Sequence, residues 1–419
     1  MKDKPLEISI FSEIAPLRSV LLHRPGKELE SLTPQYLDTM LFEDIPFLQK
    51  MQEEHDRFAQ TLRDQGCTVY YFEEFLAKAI SSSSIVRKQL IDQTVDTSEV
   101  KNHRIKEVIR SFLLQLDTPS LSECLIGGVL KREVTPSRRA TDLAYFIRDE
   151  YPYYIAPLPN LYFTRDPGTA IGEGFSVNLM KTIARKRETL LLSIIFNSLA
   201  TTVTTSHSHI GLLSSYTEGS YLEGGDILVL DQKTIAVGCS ARSEPWAIER
   251  LAEAVLRPDG SGEGFERMLV IQIPFTRAYM HLDTVFTMVD HDKFTIYPGV
   301  EQRLKVFIIE KTLNGLLSVK MGKNLGGALK KLLKIPAIDL IQTGGGDRIT
   351  AAREQWNDSA NTLAVSPGKV VTYRRNVVSN DTLDSHGIEV LAIDGSELVR
   401  GRGGPHCMSM PLYRDHVEQ

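Results

Sequence analysis

The chain has 419 residues, of which 42% are hydrophobic and 24% are charged. These values are close to the averages of soluble globular proteins, so the composition gives no sign of disorder, a collagen-like repeat or a disulfide scaffold. The formal net charge of −5 argues against a dedicated nucleic-acid-binding protein, and no apolar run reaches the roughly 18 residues that a membrane-spanning helix needs.

The N-terminal part alternates between strand and helix patterns. The polar start, residues 1–5, leads into no apolar signal core, so we expect no secretion. The apolar run at residues 19–23 is stopped by a Pro-Gly pair and predicts a strand, as does the run CTVYYF at residues 67–72. Residues 47–65 predict a helix, because four apolar residues recur at spacings that place them on one face: Phe47, Met51, Phe58 and Leu62.

Charged helical patterns replace strands between about residues 73 and 154. Within residues 101–116, one helical face carries Ile105, Val108, Ile109, Phe112 and Leu113. Serines at 81–84 and prolines at 152, 157 and 159 bracket the segment. We therefore predict an all-helical domain, residues 74–154, inserted into an α/β domain that residues 1–73 and 155–419 form.

Short strands return after residue 159 and form similar hairpins. Three hairpins are predicted at residues 226–238, 283–299 and 361–373, with a looser fourth at residues 166–180. Helical segments, predicted at residues 245–256 and 304–316, separate them. A hairpin-plus-helix unit that recurs every roughly 60–80 residues favours an array around an axis only slightly over an ordinary mixed α/β sheet.

Acidic residues stand at the starts of these hairpins: Asp166, Glu223, Asp226 and Asp283. In an array they would converge at one end, where carboxylates match the planar donor fork of a guanidinium group. A divalent metal is the rival interpretation, because clustered acids together with His281 also suit a metal ion. An Asp at a strand start, taken alone, commonly caps a turn.

Cys407 differs from the other three cysteines in its glycine-rich, polar approach, GRGGPH. A cysteine reacts only as thiolate, which requires a positive neighbour or a bound cation, and a substrate guanidinium would supply one. Cys67, Cys124 and Cys239 fit the commoner role of a buried structural cysteine. Scattered thiols without CxxC spacing fit a reducing cytosol, so we expect a cytoplasmic protein.

His281 stands two residues before Asp283 in the motif MHLDT. On a strand, residues i and i+2 project to the same face, so we predict that both side chains enter one site. Histidine is the natural proton shuttle near neutral pH, which suits His281 to acid/base work and Asp283 to holding substrate. Other histidines, such as His207 and His209, fall in polar loops where solvent exposure is expected.

The motifs together form an ordered set that resembles the arginine deiminase family. The resemblance runs from about residue 10 to the C-terminus and includes the helical insertion. Each motif alone is weak, whereas the ordered set is specific. The motifs are SVLLHRPG (19–26), LFEDIPFL (41–48), NLYFTRDP (160–167), LEGGD (222–226), MHLDT (280–284) and GRGGPHCMSMPL (401–412).

The resemblance implies an α/β fold of five ββαβ units arranged as a propeller, the pentein fold, with an inserted all-helical domain. It implies hydrolysis of L-arginine to L-citrulline and ammonia without a metal or cofactor. Cys407 would attack the guanidinium carbon while Asp166 and Asp283 grip its nitrogens. His281, supported by Glu223, would protonate the departing ammonia and then activate water against an S-alkylthiouronium intermediate.

The resemblance also implies contacts along the rest of the substrate. The predicted substrate-binding residues are Arg185, Arg242 and Arg402 for the α-carboxylate, Asn160 for the α-amino end, Phe163 for the aliphatic part, and Leu41 and Asp226. A homodimer or homotetramer is implied, with neither nucleic acid nor membrane as a partner. The contribution of His406, which directly precedes the nucleophile, stays open.

Related activities differ at the ends of the substrate. An amidinotransferase would pass the amidino group to an amine, and a dimethylarginine hydrolase or an agmatine deiminase would keep the cysteine and histidine. The three candidate arginines favour a substrate with a free α-carboxylate, which agmatine lacks. A non-catalytic propeller that binds a macromolecule would not need these residues together, and a metal hydrolase would be sensitive to chelators.

Overall fold

The structure is a computed structural model that describes residues 6–134, 151–199, 203–204, 220–257 and 264–416. The expectations for His207 and His209, for the polar start at residues 1–5, and for residues 135–150 of the predicted insertion lie outside these ranges.

The elements alternate between short strands and helices along the whole chain. The strands are β1 (Leu6–Glu7), β2 (Leu17–Leu22), β3 (Thr68–Tyr71), β4 (Val129–Leu130), β5 (Tyr153–Ile155), β6 (Gly168–Ile171), β7 (Gly174–Val177), β8 (Val203–Thr204), β9 (Ile227–Val229), β10 (Thr234–Cys239), β11 (Arg267–Gln272), β12 (Phe286–Met288), β13 (Lys293–Ile296), β14 (Lys305–Lys311), β15 (Leu317–Met321), β16 (Asp339–Gln342), β17 (Leu363–Ser366), β18 (Lys369–Tyr373), β19 (Glu389–Ile393) and β20 (Met410–Arg414). The helices are α1 (Lys27–Glu30), α2 (Leu48–Asp64), α3 (Phe72–Ser82), α4 (Ser84–Asp96), α5 (His103–Gln115), α6 (Thr118–Gly127), α7 (Lys186–Leu199), α8 (Pro245–Val255), α9 (Pro298–Glu301), α10 (Leu325–Leu333), α11 (Arg348–Gln355) and α12 (Val377–Ser385). Single 3₁₀ turns lie at Pro34–Tyr36, Ile183–Arg185, Gly224–Asp226, Leu282–Thr284, Thr343–Gly346 and Leu398–Gly401.

Three groups of strands share one pattern, an antiparallel hairpin followed by a parallel third strand. In β9–β10–β11, β12–β13–β16 and β17–β18–β19, the second and third strands run parallel. A parallel connection needs a crossover, and helices such as α8 and α12 provide it. The three predicted hairpins and the looser fourth, β6–β7, are therefore confirmed as antiparallel pairs.

The two ends of the chain build a further sheet of the same pattern. β20 pairs antiparallel with β2, and β2 pairs parallel with β3 across helix α2. Met51, Phe58 and Leu62 of α2 share one face as predicted, and they are buried because that face packs on the sheet. Phe47 precedes the first residue of the helix and is 63% exposed, so its predicted place on the same helical face as the other three is wrong.

The predicted helix at residues 304–316 is wrong. Residues 305–321 form the hairpin β14–β15, which extends the sheet to the order β15-β14-β11-β10-β9. Val306 and Ile308 lie on one face of β14 and are buried, as strand alternation requires. β-branched residues favour a pleated surface over a helix, and Gly315 adopts a φ of 78° in the turn.

Helices α3 to α6 occupy most of the segment between β3 and β4. Ile109 and Leu113 of α5 are buried on the predicted face. One hydrophobic cluster runs without a break from these helices to Ile227 and Val270 in the sheet β9–β10–β11. The division into two domains stays a prediction. None of the helices in the described ranges combines the length and the apolar character that a membrane crossing requires.

Candidate active site

The acidic residues at the hairpin starts lie around His281. The turn Gly224–Asp226 directly precedes β9, the turn Leu282–Thr284 lies one residue before β12, and Asp166 stands two residues before β6. His281 Nε2 lies 2.7 Å from Glu223 Oε2, while its Nδ1 lies 3.7 Å from Asp166 Oδ1. All three side chains are buried. Glu223 therefore holds the imidazole at Nε2, and Nδ1 has no hydrogen bond of normal length to any of the described residues.

His281 is a cationic acid at neutral pH. Burial alone would lower the pKa of His281, but the negative charge of Asp166 and the hydrogen bond to Glu223 raise it to about 9. Burial likewise opposes the charge on Glu223, yet the bond from His281 and the charge of Arg242 lower the pKa of Glu223 to about 2. The imidazolium thus carries a proton on Nδ1 that it can transfer.

Cys407 lies against the carboxylate of Asp283. The sulfur is 3.4 Å from Asp283 Oδ2, and the thiol is 3% exposed. Burial, followed by the charges of Asp283 and Asp166, raises the pKa of the Cys407 thiol well above its ordinary value. The site therefore holds a neutral thiol until a cation offsets the two carboxylates. Asp283 Oδ1 has no hydrogen-bond partner among the described residues.

Asn361 is a site residue that the sequence analysis missed. Its Oδ1 accepts hydrogen bonds from the backbone N–H groups of Cys407 (3.0 Å) and Gly404 (3.1 Å). Its Nδ2 lies 3.1 Å from the sulfur of Cys407 and donates to the Asp283 carbonyl at 3.1 Å. The available signal was its position, since it precedes the third hairpin as Asp226 and Asp283 precede the first two.

His406 connects Asp283 to Glu13, which the sequence analysis also missed. His406 Nδ1 lies 2.8 Å from Asp283 Oδ2, and Nε2 lies 3.2 Å from Glu13 Oε2. These contacts outweigh burial and lower the pKa of Asp283, and they help to lower the pKa of Glu13 to about 2. His406 thus keeps both acids ionised and has no ring nitrogen left to contact the sulfur.

Asp226 faces the protein. Its Oδ2 accepts hydrogen bonds from the hydroxyls of Ser240 and Ser243, each at 2.6 Å, and its Oδ1 accepts the N–H of Leu282 at 2.7 Å. Burial raises its pKa to about 7, against the charge of His281. Asp226 therefore fixes the turn that carries His281, and its predicted contact with substrate stays a prediction.

The strand predicted to bring His281 and Asp283 onto one face is wrong. Residues 282–284 form a 3₁₀ turn and not a strand, so strand alternation does not apply. The turn is closed by the hydroxyl of Thr284, which donates to the His281 carbonyl at 2.7 Å. The two side chains still reach one site, His281 beside Asp166 and Asp283 beside Cys407.

Arg185 is buried and holds Asp166 in place. Its Nη1 donates to Asp166 Oδ2, its Nε and Nη2 bond Glu188, and Nη2 also donates to the carbonyls of Asn160 and Phe163. A contact with the substrate carboxylate would exchange part of this network, so that role stays a prediction. Asn160 Nδ2 in turn donates to the Met40 carbonyl at 2.7 Å and ties this network to the loop before Leu41.

The remaining predicted substrate contacts lie at the edge of the buried cluster. Arg242 Nη1 is 3.6 Å from Glu223 Oε1. Leu41 and Arg402 both have a φ of 64°, a left-handed conformation that non-glycine residues seldom adopt. Phe163 is buried, with its ring 3.9 Å from that of Tyr162 between centroids.

Two glycines make room for this arrangement. A Cβ at Gly225 would lie 2.8 Å from His281 Nδ1 and 2.9 Å from Asp166 Oδ1. A Cβ at Gly403 would lie 2.2 Å from the ring of Phe163. Any side chain at these positions would displace the acid/base pair or the segment that leads to Cys407.

Asp166, Glu223 and His281 also form a candidate metal-ligand set, with one ligand atom of each within 4.8 Å of the others. Each of the three already has a charged partner, because Asp166 bonds Arg185 and Glu223 bonds His281. A divalent ion would have to displace the proton of His281 and release Arg185 from Asp166. The present donor set therefore fits an organic cation better than a metal.

The family model and the similar relatives found among known proteins agree on one family. A family model described as arginine deiminase matches residues 38–414. The chain is 44% identical over 419 residues to the arginine deiminase of Bacillus thuringiensis subsp. konkukian (strain 97-27), covering 98% of this chain and 99% of the relative. It is also 44% identical to the arginine deiminase of Staphylococcus aureus (strain MRSA252) over 421 residues, with both chains covered completely.

Solved structures support the fold at much lower identity. An amidinotransferase of saxitoxin biosynthesis from Microseira wollei aligns with a TM-score of 0.52 at 12% identity, covering 98% of both chains. The N-terminal domain of an arginine dihydrolase from the cyanobacterial ornithine–ammonia cycle aligns with a TM-score of 0.53 at 12% identity, covering 96% of this chain and 99% of that one. At such identities the likeness concerns the α/β fold alone.

Proposed function

The chain belongs to the arginine deiminase family, and from this membership we propose that it hydrolyses L-arginine to L-citrulline and ammonia with Cys407 as the nucleophile. The observation that carries the residue assignment is the thiol of Cys407 beside a carboxylate with one unpartnered oxygen, Asp283 Oδ1. A guanidinium group would satisfy that oxygen and offset the charges that keep the thiol neutral.

The first half of the reaction forms the covalent intermediate. The substrate guanidinium binds between Asp166 and Asp283, and its positive charge lowers the pKa of the Cys407 thiol, which loses its proton to solvent. The thiolate attacks the guanidinium carbon and forms a C–S bond. His281 gives its Nδ1 proton to the nitrogen that leaves, the C–N bond breaks, and ammonia departs from an S-alkylthiouronium intermediate.

The second half consumes one water molecule. The neutral imidazole of His281, still held by Glu223, accepts a proton from water as its oxygen attacks the same carbon. The C–S bond then breaks, the leaving thiolate takes the remaining proton of the new hydroxyl and returns to a thiol, and citrulline carries the new oxygen. Glu223 stays ionised throughout, because its pKa of about 2 lies far below the working range.

The ends of the substrate define its class. We assign the α-carboxylate to Arg242 and Arg402 and the α-amino end to the loop of Leu41, which Asn160 anchors. Phe163 packs on the aliphatic part. Arg185 positions Asp166, and its contact with the α-carboxylate stays a prediction.

The test is a substrate panel. Purified protein incubated with L-arginine should release citrulline and ammonia in equal amounts, and agmatine, with no α-carboxylate, should react at least about 100-fold more slowly in kcat/KM, because a site built for a polar group rejects analogues that lack it. Methylated arginines should also be poor substrates. Equal turnover of agmatine would contradict the assignment, and loss of activity in a chelator would favour the metal hydrolase.

We further propose that five ββαβ units close into a propeller. Residues 74–154 would form a domain inserted into it. The units around β2, β9, β12 and β17 and the hairpin β6–β7 support this count. We propose a cytoplasmic homodimer or homotetramer, supported by the exposed apolar side chains of the β14–β15 hairpin: Leu313, Leu316, Val319 and Met321. Light scattering at several protein concentrations tests the oligomer.

A further inference from the structure

Arg402 stacks on Trp356. The guanidinium carbon lies 3.5 Å from the centroid of the Trp356 ring, well within the roughly 6 Å over which a cation is attracted to an aromatic face. Trp356 caps the C-terminus of α11, is 47% exposed, and lines an open cavity of about 1160 Å³ together with residues 346–349 and 352–353. Arg402 is 6% exposed. One aromatic residue therefore contacts both the open cavity and a buried cation.

The buried cation has unused hydrogen-bond donors. Nη2 of Arg402 donates to the Ala278 carbonyl at 3.2 Å. Nε and Nη1 are buried and have no hydrogen-bond partner within the described part of the chain. No carboxylate of the described residues lies within ion-pair distance of Arg402. Buried donors are normally paired, so these two indicate a ligand that the guanidinium is arranged to receive.

The backbone fixes where this side chain points. Arg402 has φ 64° and ψ 69°, and its N–H donates to the Val399 carbonyl at 2.9 Å. The hydroxyl of Tyr373 donates to the carbonyl of the next residue, Gly403, at 2.8 Å. A strained residue persists only where its surroundings hold it, as they do here on both sides.

An aromatic partner suits an arginine that must bind an anion. A carboxylate would occupy the N–H groups of Arg402 and repel an arriving negative charge, whereas an aromatic face fixes the guanidinium plane and uses no donor. The charge of Arg402 acts on Asp358, but burial outweighs it and raises the pKa of Asp358 to about 7. Near neutral pH much of this acid is therefore uncharged and competes weakly.

We propose that Trp356 is a positioning residue that holds Arg402, with Nε and Nη1 unpaired, for the α-carboxylate of the substrate. This inference rests on the proposed function, in which Arg402 contacts that carboxylate. Trp356 holds Arg402 in place both before the substrate binds and while it is bound. Its contribution therefore belongs to substrate affinity and not to the chemical step.

The experiment compares Trp356→Leu, which removes the π face, with Trp356→Phe, which keeps one. The other tryptophan of the chain, Trp246, is 56% exposed on α8 and provides the matched control Trp246→Leu. For L-arginine we expect Trp356→Leu to raise KM about tenfold with kcat within about twofold, since a cation–π contact of this kind is worth about that factor. Trp356→Phe should recover most of the loss, and Trp246→Leu should leave both constants unchanged.

A double-mutant cycle with Arg402→Met separates the inference from the proposed function. If Trp356 acts through Arg402, Trp356→Leu changes kcat/KM by less than about twofold in the Arg402→Met background. Additive effects, an unchanged or lower KM in Trp356→Leu, or no recovery in Trp356→Phe would each overturn the inference. An unchanged KM in Arg402→Met would instead overturn the carboxylate contact of the proposed function. Thermal unfolding of every variant confirms that it is folded.

Discussion

His281 and His23 are both buried and both lie beside two carboxylates, yet their surroundings suit different purposes. His281 has one close partner, Glu223 at 2.7 Å, while Asp166 stands off at 3.7 Å from its other nitrogen. His23, at the end of β2, is bonded at both nitrogens, to Glu73 at 3.0 Å and to Glu28 at 3.1 Å. The acids raise the pKa of both, to about 9 for His281 and to about 10 for His23.

The difference teaches that a shifted pKa does not by itself identify a catalytic group. Both imidazoles are protonated at neutral pH, because in each the carboxylates outweigh a burial that alone would lower the pKa. A proton can be transferred only from a nitrogen that is free to meet a substrate. His281 has such a nitrogen and a thiol in the same site, whereas His23 serves as a closed link between β2, the turn of α1 and the start of α3.

The largest expected effect concerns the thiol that gives the His281 region its chemistry. Cys407→Ser should lower kcat by at least about 1,000-fold, because a neutral hydroxyl is a far weaker nucleophile than a thiolate. Citrulline release measures this loss, and an unchanged melting temperature shows that the fold is intact. Cys239→Ser is the matched control, since burial raises the pKa of the Cys239 thiol to about 11 and no role is assigned to it. Full activity of Cys407→Ser would refute the covalent mechanism.

Replacing each of the two histidines separately tests the comparison itself. His281→Asn should lower kcat by about 100- to 10,000-fold, the usual contribution of a general acid and base. His23→Asn should leave kcat of the folded protein within about threefold but lower the free energy of unfolding by about 2–4 kcal/mol, because Glu28 and Glu73 lose their cation. Steady-state kinetics and urea unfolding measure the two effects. The reverse outcome, with His23 required for turnover, would contradict the comparison.

The pH dependence of stability distinguishes the closed link more finely. Because the folded-state pKa of His23 is raised to about 10, its contribution is fully present below the unfolded value of about 6.5 and is lost as the pH rises through 10. The urea midpoint of the unmodified protein should therefore fall between about pH 6.5 and pH 10, and His23→Asn should flatten that fall. Parallel curves for the two proteins would show that His23 does not cause the pH dependence of stability in this range.

The smallest expected effect concerns His406, which supports the His281 site from behind. His406→Asn removes the contacts that lower the pKa of Asp283, so the acid limb of kcat/KM should move to higher pH and activity near neutral pH should fall by about three- to tenfold. A pH–rate profile measures the shift, with the exposed His291→Asn as control. An unchanged acid limb would show that His406 does not lower the pKa of Asp283.

The local signals in the sequence predicted the hairpins and the acids before them, because turn residues and strand alternation act over a few residues. They failed at residues 304–316, where apolar spacing also suits a helix, although the pair Asn314-Gly315 is a typical hairpin turn and lies in the turn of β14–β15.

The tertiary contacts of the site lay beyond such signals. The bonds that join Asn361 to Cys407 and Glu13 to His406 connect positions 46 and 393 residues apart. No periodicity connects residues so distant. The family resemblance predicted the catalytic residues, but the roles proposed for Asn361, Glu13 and Trp356 depend on atoms that only the folded chain brings into contact.

Because β20 pairs with β2, the sheet β20–β2–β3 can be completed only late in the synthesis of the chain. A ribosome makes Asp166, Glu223, His281 and Asp283 long before it makes Cys407, which lies three residues ahead of β20. A nascent chain holds β2 without its antiparallel neighbour and has no sulfur at the site. We therefore expect that growing chains cannot degrade arginine. Activity should begin only when β20 leaves the exit tunnel and pairs with β2.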